Sequence, residues 1–158
     1  MVVLVANFTD LAVQLNPLLA SEGVELNFNG YVDTWQRYLR CNETLLDEMY
    51  ELMKETLAWS EYFSEVQSWM EWRYLTEVNK EEYFGSYYHR IDVNHSQFKA
   101  VQQQYDEAVQ LRRLLKLFLS FLETQRKAFE RAHFQLRDMY LTQIEKTNAT
   151  LWFEANEN

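Results

Sequence analysis

Two carboxylate–imidazole pairs stand at i and i+3 in this chain, Glu130 with His133 and Asp92 with His95. On a helix the two members of such a pair face the same way, and bundle-type di-iron sites combine two of them with a Glu from each of two further helices. The spacing departs from that plan, because both pairs belong to one helical stretch or its edge, and a straight helix keeps them apart. A homodimer would bring two copies of Glu130 and His133 together, with Glu61 or Glu65 as added ligands. Packed or solvated histidines are the simpler expectation. Cys41 follows the cation Arg40, the kind of neighbour an activated thiolate uses, yet no histidine lies near it in sequence to act as its base. Gly-rich phosphate loops, Cys-x-x-Cys pairs, His-Glu-x-x-His and Gly-x-Ser-x-Gly do not occur. The expectation is a protein that is not an enzyme and holds no cofactor or metal. A metal-dependent, di-iron-like bundle enzyme is the second alternative.

Aromatic and acidic residues are the other candidates. Trp59, Tyr62, Phe63, Trp69, Trp72 and Tyr74 crowd into one short stretch and cannot all face one direction on a helix. Exposed aromatic side chains favour interfaces, since they bury much area at small entropy cost and keep a polar tip. Interleaved Glu61, Glu65, Glu71 and Glu77 make any such surface acidic. The candidate interaction residues are therefore Trp59, Glu61, Tyr62, Glu65, Trp69, Glu71 and Trp72. A large aromatic core inside a bundle is the other use of the same rings.

Charge narrows the partner. The chain carries 15 Lys+Arg against 24 Asp+Glu, a net −9. Residues 1–82 hold 5 basic and 15 acidic side chains, net −10, while 83–158 hold 10 and 9, net +1. Direct nucleic-acid binding is disfavoured, because that affinity comes mainly from Lys and Arg neutralising phosphates. An acidic surface instead suits the basic groove of a protein that binds nucleic acid.

These residues need elements to position them, and composition selects helices. With 3 Gly and 1 Pro in 158 residues, the chain lacks the turn formers that loop-rich and all-β folds require. No run of 18 apolar residues occurs, so no helix is expected to span a bilayer. The lone Cys41 cannot close an internal disulfide. Val2–Ala6 is too short for a signal-peptide core and carries no basic start, so a cytoplasmic setting is expected. Four Asn-x-Ser/Thr triplets, at Asn7, Asn42, Asn94 and Asn148, read as helix-cap chemistry and chance.

Spacing predicts a short N-terminal helix over about 8–20, interrupted by Pro17, and a loop or brief extended segment over 21–30. A long helix over about 31–80 follows, with no Gly or Pro and three apolar rows. Trp35, Asn42, Met49, Thr56, Phe63 and Met70 form the first. Tyr38, Leu45, Leu52, Trp59 and Val66 form the second, and Leu39, Leu46 and Met53 the third. A turn over about 81–95 centres on Gly85. A second long helix over about 96–153 carries Leu111, Leu115, Phe118, Leu122, Gln125, Phe129, Ala132, Leu136 and Met139 at 3-4 spacing, then Tyr140, Ile144, Thr147 and Leu151 after a one-residue shift. Tyr83-Phe84-Gly85 resembles the aromatic-x-Gly turn of WXG-type hairpins exported by type VII secretion. The likeness covers three residues. The chain departs from that family in length and in lacking Trp at the first position, so an ordinary turn is expected. Leu111–Leu119 is basic on one side and apolar elsewhere. That suits a stripe facing the acidic first long helix, although membrane-surface helices and calmodulin targets share the character.

The expected fold is one all-α domain, a long antiparallel helical hairpin plus a short N-terminal helix. Three rows in seven are more than two helices cover. Either a homodimer completes a four-helix bundle, or one long helix breaks and folds back, with Glu71–Val78 or Gln102–Asp106 as break points. The expected function is non-enzymatic: an acidic, aromatic helical surface docks on a larger, basic, nucleic-acid-binding protein as inhibitor, adaptor or assembly factor. A structural homo-oligomeric coiled-coil or bundle component is the alternative.

Overall fold

Asn29 and Gly30 form a turn in which Gly30 takes a left-handed φ of +95°. An L side chain there costs about 1–2 kcal/mol. The Gly30 carbonyl accepts from the Thr34 backbone N–H at 3.1 Å and from the Thr34 hydroxyl at 3.2 Å, which starts the first described helix. The computed structural model describes Val13, Asn16, residues 26–41 and residues 46–157. The expected N-terminal helix therefore lies outside the described residues except for Val13 and Asn16, both helical. Helix α1 spans Tyr31–Leu39, α2 Leu46–Tyr88 and α3 Phe98–Glu157. No strand occurs among the described residues, and the two long helices pack antiparallel as an all-α helical hairpin.

The expected helix over 31–80 is in fact two. Helix α1 ends at Leu39, where the Arg40 N–H bonds back to Gln36 and the Cys41 N–H to Tyr38. No Gly or Pro marks this break. What favours it is packing, because folding α1 back lets it cover the broad apolar stripe of α2. The break points expected at 71–78 and 102–106 are continuous helix. The turn also moves. Helix α2 continues through Gly85 to Tyr88, and the connection occupies residues 89–97. Its chemistry comes from side chains: Asp92 Oδ1 accepts from the Asn94 N–H at 3.0 Å, and His95 Nδ1 accepts from the Gln97 N–H at 3.1 Å. Such local bonds let polar residues turn the chain without glycine. Gly85 instead serves close packing, since a Cβ there would meet Tyr105 Cε2 at 3.0 Å.

Two compact units divide the chain, one of residues 1–27 and 64–123, the other of residues 28–63 and 124–158. In the first, α2 and α3 meet through Gly85 and Tyr105, through stacked Tyr88 and Phe98 with ring centres 5.5 Å apart, and through an ion pair of Arg112 with Glu81. Glu81 also holds the Arg112 guanidinium above its ordinary pKa. Val101, Ala108, Leu115, Phe118 and Leu122 are buried on α3, Val66 and Met70 on α2. This is the acidic-to-basic pairing expected of the 111–119 run, carried by Arg112; Arg113 and Lys116 stay exposed.

In the second unit α1 lies against α2 and α3. The Thr34 hydroxyl approaches Glu55 at 3.3 Å, Arg37 pairs with Glu55, and the Tyr38 hydroxyl donates to Gln135. Around Phe63 and Phe129, both fully buried, gather Phe28, Tyr31, Trp35 and Trp59, with ring centres 5.4–6.5 Å apart. Edge-to-face and offset pairs of this kind add about 0.5–1.5 kcal/mol each beyond area burial. Cys41, Met49, Leu52 and Leu136 form a second buried cluster, with Tyr38, Met53, Met139 and Tyr140 against it. Buried Thr56 and Ser60 return their hydroxyls to carbonyls of their own helix, at 2.9 Å to Leu52 and 2.9 Å to Leu57. Among the described residues no helix is long and apolar enough to cross a membrane.

Candidate interaction surface

The residues with catalytic potential are placed in structural roles. His133 Nδ1 lies 2.9 Å from the Met53 carbonyl oxygen. A carbonyl only accepts, so Nδ1 carries the proton and His133 ties α3 to α2. Glu130 pairs with Arg126 along its own helix at 3.4 Å. Asp92 and His95 are occupied in the turn, and Cys41 is a buried packing residue. Among the described residues no three His, Cys, Asp or Glu side chains converge in a group able to hold a metal ion.

The seven candidate interaction residues separate into two sets. Trp59, Glu61 and Tyr62 belong to the second unit. Trp59 packs on Tyr31 at 6.0 Å and Phe63 at 5.8 Å, and Tyr62 meets Phe28 edge-on at 5.7 Å. These two rings are half-buried within the chain, and Glu61 is exposed. The α1 residues that take up Trp59 come from the helix break that the sequence did not signal.

Glu65, Trp69, Glu71 and Trp72 belong to the first unit. Glu65 and Glu71 are exposed, and Trp69 is half-buried. Glu71 accepts from Gln67 at 3.3 Å, one turn earlier. Trp72 is 60% exposed, and Leu75 at 59%, Tyr83 at 72% and Tyr87 at 45% accompany it. At 100° per residue these four side chains fall on one face of α2, with polar Asn79 and Ser86 between them. Glu82, exposed, joins Glu65 and Glu71 at the rim. Glu77 does not. It is buried, with its carboxylate 3.2 Å from Arg73 and 3.3 Å from Lys80, so this acid is neutralised inside the unit.

The far end of the face opens into a depression of about 530 Å³ lined by Asn79, Glu82, Tyr83, Ser86, Tyr87 and Arg90. Leu75, Tyr83 and Tyr87 were not among the seven candidates. The signal for Tyr83 and Tyr87 is the same 3-4 spacing carried past Lys80, which a turn placed at Gly85 conceals; Leu75 lies within the expected helix, three residues after Trp72. The face offers aromatic area, tyrosine hydroxyls and carboxylates. These suit non-covalent recognition of a cationic, partly apolar surface.

No protein-family model matches the chain, and neither a curated protein nor a solved structure shows significant similarity to it.

Proposed function

We propose that the chain is a non-enzymatic interaction module whose α2 face in the first unit docks on a basic groove of a larger protein. A nucleic-acid-binding partner is the sharpest case, with the module acting as inhibitor, adaptor or assembly factor. One observation carries this: Trp72, Leu75, Tyr83 and Tyr87 stand exposed on one face, edged by Glu65, Glu71 and Glu82. Together the four side chains expose on the order of 400 Å². The largest apolar patch on a typical monomer is about 300–600 Å² and is often functional. Lone exposed apolar residues need no explanation, but a rimmed row of four does. The carboxylate rim steers a cationic partner and disfavours an anionic one, and the desolvated rings set how long the complex lasts.

The test is affinity capture from native extract with three baits: wild type, Trp72→Ala, and Glu65→Lys/Glu71→Lys/Glu82→Lys. Support is a basic protein retained by wild type and lost from both variants, followed by slower association of the charge variant and faster dissociation of Trp72→Ala. Equal retention by all three baits ends the proposal.

A further inference from the structure

Of the chain's ten asparagines, Asn29 alone precedes a glycine. It stands exposed in the turn that starts α1, and Gly30 beside it is exposed as well. The Gly30 carbonyl is engaged by Thr34, but the Gly30 N–H donates to no group among the described residues. With no side chain beside it, that nitrogen can be approached closely. The Asn29 amide carbon, Cγ, is placed by covalent geometry to close a five-membered ring through it. The other described asparagines lack this arrangement. Asn79, Asn148 and Asn156 lie within helices, where the next N–H is tied into the ladder and the backbone angles are fixed. After Asn94, the His95 N–H donates to the Asp92 carbonyl at 2.9 Å. Asn16 precedes Pro17, which has no N–H, and Asn27 precedes the bulky Phe28.

We infer that Asn29 is a site of self-modification whose product loosens the seat of α1. The Gly30 nitrogen gives its proton to solvent and bonds to Asn29 Cγ. The Cγ–Nδ2 bond breaks, and Nδ2 takes a proton from water and leaves as ammonia. A succinimide remains, and water opens it at either carbonyl carbon. Attack at Cγ restores the ordinary backbone with an aspartate side chain. Attack at the main-chain carbonyl gives isoaspartate, in which the chain runs through Cβ and Cγ and is one carbon longer. Water is the only co-reactant.

The position gives that extra carbon its effect. Phe28, just before the modified bond, stacks on Phe63 with ring centres 5.7 Å apart. Tyr31, just after it, is buried against the same Phe63 at 5.6 Å and against Phe129 at 6.4 Å. Between these anchors Gly30 takes its left-handed φ of +95° and accepts the Thr34 N–H and hydroxyl that start the helix. A longer link between two rings fixed on one cluster displaces one or both. Aspartate of ordinary linkage keeps the spacing and adds a carboxylate at the positive end of α1, which a helix favours. The inference is independent of the docking face, which lies on α2 in the other unit.

The test ages the full chain in mildly alkaline buffer, which speeds loss of the Gly30 proton, and follows every asparagine by peptide mapping and mass spectrometry. Asn29 is expected to lose its amide at least about 10-fold faster than any other asparagine. Aged protein is expected to unfold about 2–4 °C below fresh protein. Treatment with isoaspartyl methyltransferase and its methyl donor, which returns isoaspartate to the ordinary linkage, is expected to restore the midpoint. Asn29→Gln must close a larger ring, so it is expected to keep its amide and its own fresh midpoint. If Asn29 deamidates no faster than the rest, the site is overturned. The coupling to α1 is overturned by an aged midpoint equal to the fresh one, by an equal fall in aged Asn29→Gln, or by a fall that the methyltransferase leaves in place.

Discussion

The two units use the same aromatic residue types in opposite ways. In the second, a third helix is at hand: α1 lays Tyr31 and Trp35 over Phe63 and Phe129, and Trp59 is gathered in with them. In the first, the described residues supply α2 and α3, and Trp72, Tyr83 and Tyr87 remain in water on the side of α2 away from α3. Ring content alone therefore does not say whether a ring is core or contact surface. What decides is whether the chain returns another helix to that face.

This contrast is broken most directly by truncating one ring from each unit. Phe129 is fully buried and touches Tyr31, Trp35, Trp59 and Phe63, so Phe129→Ala is expected to destabilise by about 3–5 kcal/mol. Trp72→Ala is expected to stay within about 0.5 kcal/mol, as exposed positions do. Urea unfolding measures both, and comparable losses would show that Trp72 is core after all. Next in size is the rim of the first unit. Lys at Glu65, Glu71 and Glu82 is expected to slow association with the captured partner about 10-fold or more at low salt, with little change in unfolding midpoint. Stopped-flow mixing at two ionic strengths reads this, and a salt-independent rate would remove the steering role.

The seat of α1 sharpens the comparison. Gly30→Ala is expected to cost about 1–2 kcal/mol, because its left-handed φ opposes any Cβ. The nearest atom, Trp59 Cζ2, would sit at a comfortable 3.7 Å, so strain rather than collision sets the loss. An unchanged midpoint would mean that α1 starts in another backbone conformation. The smallest effect concerns alkali. Burial pushes the Tyr31 phenol above its ordinary 10.0, so the unfolded chain ionises first as pH rises. Stability is then independent of this group below about pH 10, falls above it, and levels once the folded phenol also ionises. Thermal midpoints of Tyr31→Phe are expected to decline less than wild type over that range, and parallel declines would refute the assignment.

Much of the helical frame could be read from residue order. The scarcity of Gly and Pro and the 3-4 spacing specify two long helices. Of the first row on the first, Met49, Thr56, Phe63 and Met70 are buried, Trp35 is half-buried and Asn42 lies outside the described residues; Leu115, Phe118, Leu122, Phe129, Ala132 and Leu136 are buried on the second. The third row proved least protected, with Leu46 and Met53 half-buried and Leu39 exposed.

Two features were illegible for identifiable reasons. Helix α1 ends at Leu39 without a strong breaker, because tertiary burial of Tyr31, Trp35 and Tyr38 outweighs local propensity. Gly85 looked like a turn because glycine usually marks one, yet what the fold uses is its missing side chain, which admits Tyr105. The candidate surface was half legible. Spacing identified Trp72 and the acids around it, but the rings beyond Lys80 were hidden behind the misplaced turn.

Cys41, the chain's single thiol, lies buried beneath Tyr38 and against Leu136. A labelling reagent reaches that sulfur only when the packing around it parts, so the rate of modification under native conditions is a clock for local opening. The protein thus carries its own reporter of how often α1 lifts, with no probe to be engineered.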